Sequence, residues 1–181
     1  MKRHDPPLLE KRHTRRVSSL SSVIDFDNFS RIYCAAARKL LEAHDNGVGT
    51  LWDMPLIFLY RHAIELAVKG VLSEASRQLS TISIMKVKQR SHDLKAQLFD
   101  IEIVARYSSF SLSADFEKTI TIWTSEDPQG MIARYPEPKD SEEKLTLSNA
   151  QQFDLGKLVA AAEGVLSELA ALRESLLYEK A

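Results

Sequence analysis

Residues 56–72 read LIFLYRHAIELAVKGVL, an apolar stretch interrupted only by Arg61, His62, Glu65, Lys69 and Gly70. A helix that is apolar round most of its circumference has no face to give to water and belongs at the centre of an assembly of helices. The stretch therefore fixes the architecture, because the rest of the chain must supply the elements that cover it. It also sets a problem, since charges on so apolar a helix must pair or face a cleft if they are partly buried. A spacing of four puts Arg61, Glu65 and Lys69 on one side, and His62 lies three residues before Glu65. Two readings stay open. One is a polar cleft in which Arg61 holds an anion and His62 exchanges protons near neutral pH. The other is a salt-bridge ladder that ties helices together. Gly70 weakens this helix by about 1 kcal/mol relative to Ala unless it allows a close helix contact.

The covering elements also read as helices. A first helix, capped by Asp25 or Asp27, runs to about Asp45 and stops at Asn46-Gly47, with Phe29, Ile32, Tyr33, Ala36 and Leu40 as its apolar stripe. The central helix starts from Thr50 or Asp53, tolerates Pro55 in its first turn and reaches about Leu79. A third begins after Ser91, with Leu94, Leu98 and Ile101 on one face, and Ser113 caps a fourth carrying Phe116, Ile120 and Trp123. The last is long, with Leu155, Leu158, Ala162, Val165, Leu169, Leu172 and Leu176 in a near-heptad pattern. It either closes the bundle or zips to a partner. Ser80–Arg90 reads as a short extended piece, a loop or a helical turn, and 131–148 as an irregular stretch whose ends pair as short extended segments. The expected fold is all-α, a bundle of four to five helices with a long C-terminal helix.

The 181 residues suit one domain and carry 24 basic against 25 acidic side chains, net −1. Residues 1–16 hold six basic and two acidic groups, so a basic irregular arm, 1–23, precedes a bundle domain at 24–181. Such an arm is a solvated tail or an attractor of phosphate backbones; it has no interleaved aromatics to stack bases. The expected setting is cytoplasmic, with no membrane span and no secretory leader, and the lone Cys34 suits a reducing compartment.

Several chemistries are excluded by motif. Phosphate-cradling glycine loops, HExxH, CxxC and GxSxG are all absent, so neither a standard zinc site nor a hydrolase nucleophile elbow has support. Cys34 reads as core packing. His92-Asp93 at a helix start reads as capping, with His92 reaching the cleft as the alternative. Arg134-Tyr135-Pro136 places a planar cation beside an aromatic ring, suited to a phosphate or base contact or to pinning a loop.

FLYRHAIELAVKGVL, then SHDL, then ARYPEP, in that order, resemble the HEPN superfamily of prokaryotic helical-bundle proteins over roughly residues 28–178. The resemblance implies a bundle of long helices, a homodimer, and a role in toxin–antitoxin systems, phage defence or RNA processing. It assigns binding roles to Arg61, His62, Glu65 and Lys69, to His92 and Asp93, and to Arg134 and Tyr135. The implied partners are RNA, a nucleotide, or a protein such as a nucleotidyltransferase-type antitoxin; no cofactor or metal is implied. Catalytic members are metal-independent ribonucleases that use an Arg/His pair. Here neither Arg61 nor Arg134 is followed by His at the required distance, since positions 66–68 are Leu, Ala and Val and positions 139–141 are Lys, Asp and Ser. Arg38 and His44, with five residues between them, do have the spacing. The expected function is thus a binding module, with an Arg38/His44 ribonuclease and a purely structural dimerisation scaffold as alternatives.

Overall fold

The computed structural model describes residues 25–45, 53–78, 92–126 and 155–178. The basic arm, Ser80–Arg90 and the 131–148 stretch with Arg134 and Tyr135 lie outside them, as does the side chain of His44. Five helices follow in order: α1 Phe26–Asp45, α2 Asp53–Gln78, α3 Leu94–Tyr107, α4 Ala114–Glu126 and α5 Leu155–Tyr178. The described residues contain no strand, so the all-α reading holds. No helix among them is long and apolar enough to cross a membrane.

Local chemistry sets the helix starts. The Asp25 carboxylate accepts from the Asn28 backbone N–H at 2.9 Å, Asp93 from Ala96 at 3.1 Å, and the Ser113 hydroxyl from Phe116 at 3.1 Å. Each satisfies a backbone donor that the first turn leaves without an intrahelical partner.

α2 is the hub. Leu56, Tyr60, Ala63, Ile64, Val68, Val71, Leu72 and Ala75 are all buried, and α1, α3 and α5 pack against it. The α5 stripe of Ala162, Val165, Leu169, Leu172 and Leu176 is buried in the same core, with Leu155 and Leu158 packed against it. The near-heptad pattern therefore closes the bundle and leaves no seam over for a partner helix. α3 contributes Leu94, Ile101 and Val104, and α4 contributes Phe116, Ile120 and Trp123.

α1 departs from its expected stripe. Phe29, Ile32 and Ala36 are exposed, while Ser30, Cys34 and Ala37 face the core and Tyr33 and Leu40 are half-buried. The reason is closeness. Small side chains let the two backbones approach, and the Ser30 hydroxyl donates to the Ala63 carbonyl of α2 at 2.8 Å. Reading the face from the largest apolar residues turned the helix away from this contact. Gly70 lies beneath the start of α1, where an added Cβ would sit 3.5 Å from the Asp27 nitrogen and 3.7 Å from Phe26 Cβ. Those are ordinary van der Waals separations, so the contact does not require glycine. Gly70→Ala is expected to raise stability by about 0.5–1 kcal/mol in urea unfolding, through helix propensity and a less flexible unfolded chain. A loss of stability would show that α1 packs closer than this geometry allows.

Candidate functional site

On the α3 side of the hub helix lies the ladder of spacing four. Arg61, Glu65 and Lys69 keep only 5%, 2% and 8% of their side chains exposed. The Lys69 ammonium donates to Glu65 Oε1 at 2.7 Å, and Arg61 Nη1 donates to Oε2 at 3.4 Å. The start of α3 brings His92 to the same carboxylate, its Nδ1 standing 2.8 Å from Oε1. A carboxylate only accepts, so Nδ1 carries the proton and Nε2 is left as the outer nitrogen. Arg61 Nη2 also donates to the His92 carbonyl at 3.4 Å, which ties α2 to the α3 start a second time. His92 itself is 62% exposed and forms the rim of the cluster. Asp93 caps α3, so the two residues of the His-Asp pair divide the roles proposed for them. α3 also turns Gln97 and Asp100 inward, both buried.

Burial alone pushes the Glu65 carboxyl up. The Lys69 hydrogen bond and charge, with His92, more than offset this and hold it below its ordinary value of 4.5. Glu65 is thus an ionised carboxylate inside the bundle, shared by two cations and an imidazole. The salt-bridge ladder is present along α2, and the start of α3 joins it through His92.

His62 does not join the cluster. The expected pairing of Arg61 and His62 in one polar cleft is not what the structure shows, because Arg61 is turned to Glu65 and the His92 carbonyl while His62 packs among rings. Its ring meets Tyr33 of α1 edge-on at 4.5 Å and stacks on Phe58 at 5.6 Å with 9° between planes.

A second constellation had no signal in the spacing. Glu163 on α5 accepts from Arg38 Nε at 2.8 Å and from the Tyr60 hydroxyl at 2.8 Å. Arg38 Nη2 pairs with its other oxygen, and the Cys34 thiol lies 3.7 Å away. The Arg38 hydrogen bond brings the Glu163 carboxyl below its ordinary value against the pull of burial, with Tyr60 assisting. Burial, then Glu163, raises the Cys34 thiol, so it is a protonated packing group and no thiolate nucleophile. Glu163 follows the core residue Ala162, and only the folded chain brings it to Arg38 and Tyr60. At the other end of α1, Arg173 bonds Asp25 at 3.2 Å and Asp27 at 2.9 Å. These bridges span a groove of about 450 Å³ between α1 and α5. They run Arg38 to Glu163 and Asp27 to Arg173, so the two helices are antiparallel. Arg38 is therefore a bridging residue held by two of its nitrogens, and the His44 side chain of the expected Arg38/His44 pair lies outside the described residues.

Among the described residues no group of His, Cys, Asp and Glu is placed to hold a metal ion. Comparison with protein-family models, with curated proteins and with solved structures finds no match to this chain.

Glu65→Ala would leave Arg61 and Lys69 buried without their counter-charge, at a cost of about 3–5 kcal/mol in urea unfolding at neutral pH. The pH dependence follows from the sign of the shift. Because the folded carboxyl titrates below its ordinary value, the stabilisation is complete above that value. It disappears as the pH falls through the folded-state pKa. The wild-type chain is therefore expected to lose stability on acidification below pH 4.5 more steeply than Glu65→Ala. Parallel acid limbs for the two proteins would contradict the assignment.

Proposed function

We propose that the chain is a HEPN-like module, acting as a homodimer, that binds a phosphate-bearing ligand, RNA or a nucleotide, at the His92 rim of the Glu65 cluster. The observation that carries this reading is the charge count within the hydrogen-bonded group. Two permanent cations, Arg61 and Lys69, surround one carboxylate, and the imidazole that completes the set is exposed. In a water-poor interior these charges are weakly screened, and the cluster meets solvent at His92. A phosphate approaching the rim meets the solvent-facing edge of the His92 imidazole. The order of the YRHAIEL, SHDL and RYP elements adds the family context, in which a nucleotidyltransferase-type protein is a natural partner.

Binding is favoured over cleavage because Arg38 is held by Glu163. The test is fluorescence anisotropy with a labelled single-stranded RNA oligonucleotide and, separately, a labelled adenine nucleotide. RNA binding is expected to weaken steeply with salt, and His92→Ala to weaken either ligand several-fold in a chain that still folds, with a lower melting temperature from the lost bond to Glu65. Gel analysis of the RNA after titration reads the ribonuclease alternative, which would appear as fragments. Absence of binding to both probes at low salt, or binding that His92→Ala leaves untouched, would overturn the reading and favour a protein partner or a scaffold.

A further inference from the structure

The Arg38–Glu163 and Asp27–Arg173 bridges close the ends of the groove between α1 and α5 and leave its middle open. Ten residues of α5 separate the two bridges, so the trough runs for about 15 Å along the helix axes. Counting inwards from the bridges on antiparallel helices brings Cys34 level with Ser167 and Ser30 level with Ala170. All four side chains are small, and Ala67 of the hub helix lines the groove with them. Leu and Val fill the core face of α5, but none of that bulk is spent here. A space of about 450 Å³ forfeits the contacts that larger side chains would supply, and it is the size of a small-molecule site.

The polar groups around the trough are short of acceptors. Glu163 Oε1 already accepts from Arg38 Nε and from the Tyr60 hydroxyl, and Oε2 accepts from Arg38 Nη2. Asp27 Oδ2 is shared by Arg31 Nη2 at 3.0 Å and Arg173 Nη1 at 2.9 Å. The Ser30 hydroxyl donates to the Ala63 carbonyl. A guanidinium carries more N–H groups than a carboxylate has oxygens, so donors are left over even where the charges balance. The surplus is greatest at the Asp27 end, where two guanidiniums converge on one carboxylate oxygen. Arg31 keeps Nε and Nη1 there on a side chain that is 70% exposed, and Arg173 Nε is buried with no acceptor among the described residues.

We propose that the α1–α5 groove binds a small anionic amphiphile, a carboxylate or phosphate whose acidic group accepts from Arg31 and whose apolar chain lies along Cys34, Ala67 and Ala170. The donor surplus selects an acid over an amine or an alcohol, because an acid brings acceptor oxygens and forms charge-assisted hydrogen bonds. The long, narrow trough floored by small side chains selects a chain over a broad ring system. Arg38, held by two nitrogens on Glu163, closes the far end. The groove is apart from the His92 rim, so this site does not rest on the ligand reading above.

The test is calorimetric titration of the full chain, with thermal melts in parallel, using octanoate, octyl phosphate, octanol and octyltrimethylammonium as probes. At least one of the two acids is expected to bind and to raise the melting temperature by a few degrees, and the tighter of them tells a carboxylate from a phosphate ligand. Octanol and the cation are expected to bind at least tenfold more weakly. Ser167→Leu, at an exposed position, fills the trough and is expected to abolish binding while the melt of the free chain is unchanged or raised. Arg31→Gln breaks only an exposed pair with Asp27, so the fold is kept, and is expected to weaken the acid about fivefold. Failure of both acids to bind at millimolar concentration would overturn the proposal. So would octanol binding as tightly as the acids, or wild-type affinity in Arg31→Gln or in a folded Ser167→Leu.

Discussion

The cost of placing a carboxylate and two cations in the interior of a helical bundle is what the rest of this structure is arranged around. An ion taken out of water loses several kcal/mol of solvation unless its partners are close and well directed. Arg61, Glu65 and Lys69 achieve this with one turn of helix between successive groups, so the geometry is set by α2 alone. What α2 cannot do alone is give Arg61 Nη2 an acceptor or bring a third donor to Glu65. The start of α3 does both, through the carbonyl and the ring of His92. The position of α3 on the hub is thus specified by polar contacts as well as by Leu94, Ile101 and Val104.

The opposite flank of α2 is solved differently. α1 lies close through Ser30, Cys34 and Ala37, and α5 through its leucine stripe. Ion pairs from Arg38 to Glu163 and from Arg173 to Asp25 and Asp27 close the two ends of the groove between them. These pairs are half-exposed and each contributes modestly. Their value lies in direction, since they match α1 to α5 in antiparallel register. Tyr60 joins the two flanks by reaching from the hub to Glu163.

The fold was legible wherever the pattern was local. The spacing of Leu155 to Leu176, the caps at Asp25, Asp93 and Ser113, and the apolar run on α2 depend on neighbours a few residues away, and the helices follow from them. The Arg61–Glu65–Lys69 ladder was legible for the same reason. His92 was legible as a candidate, but its partner was not, because the 27 residues separating it from Glu65 include the stretch least readable in the sequence. Glu163 was invisible: its partners are 103 and 125 residues distant, and a charged residue beside a heptad position looks like a solvated flank. The face of α1 was misread because large apolar side chains suggest burial, whereas close packing selects small ones. Phe29 and Ile32 pay for that contact by standing in water.

The account rests on Glu65 being ionised in the interior and held so by Lys69 and His92. The direct measurement is a carbon-13 NMR titration of the Glu65 side-chain carboxyl in the folded chain, assigned by its absence from the Glu65→Gln spectrum. An inflection below the ordinary 4.5 is predicted. An inflection at or above that value would mean that burial outweighs the two cations and the imidazole, and that the bundle holds a neutral acid where this account requires a charge.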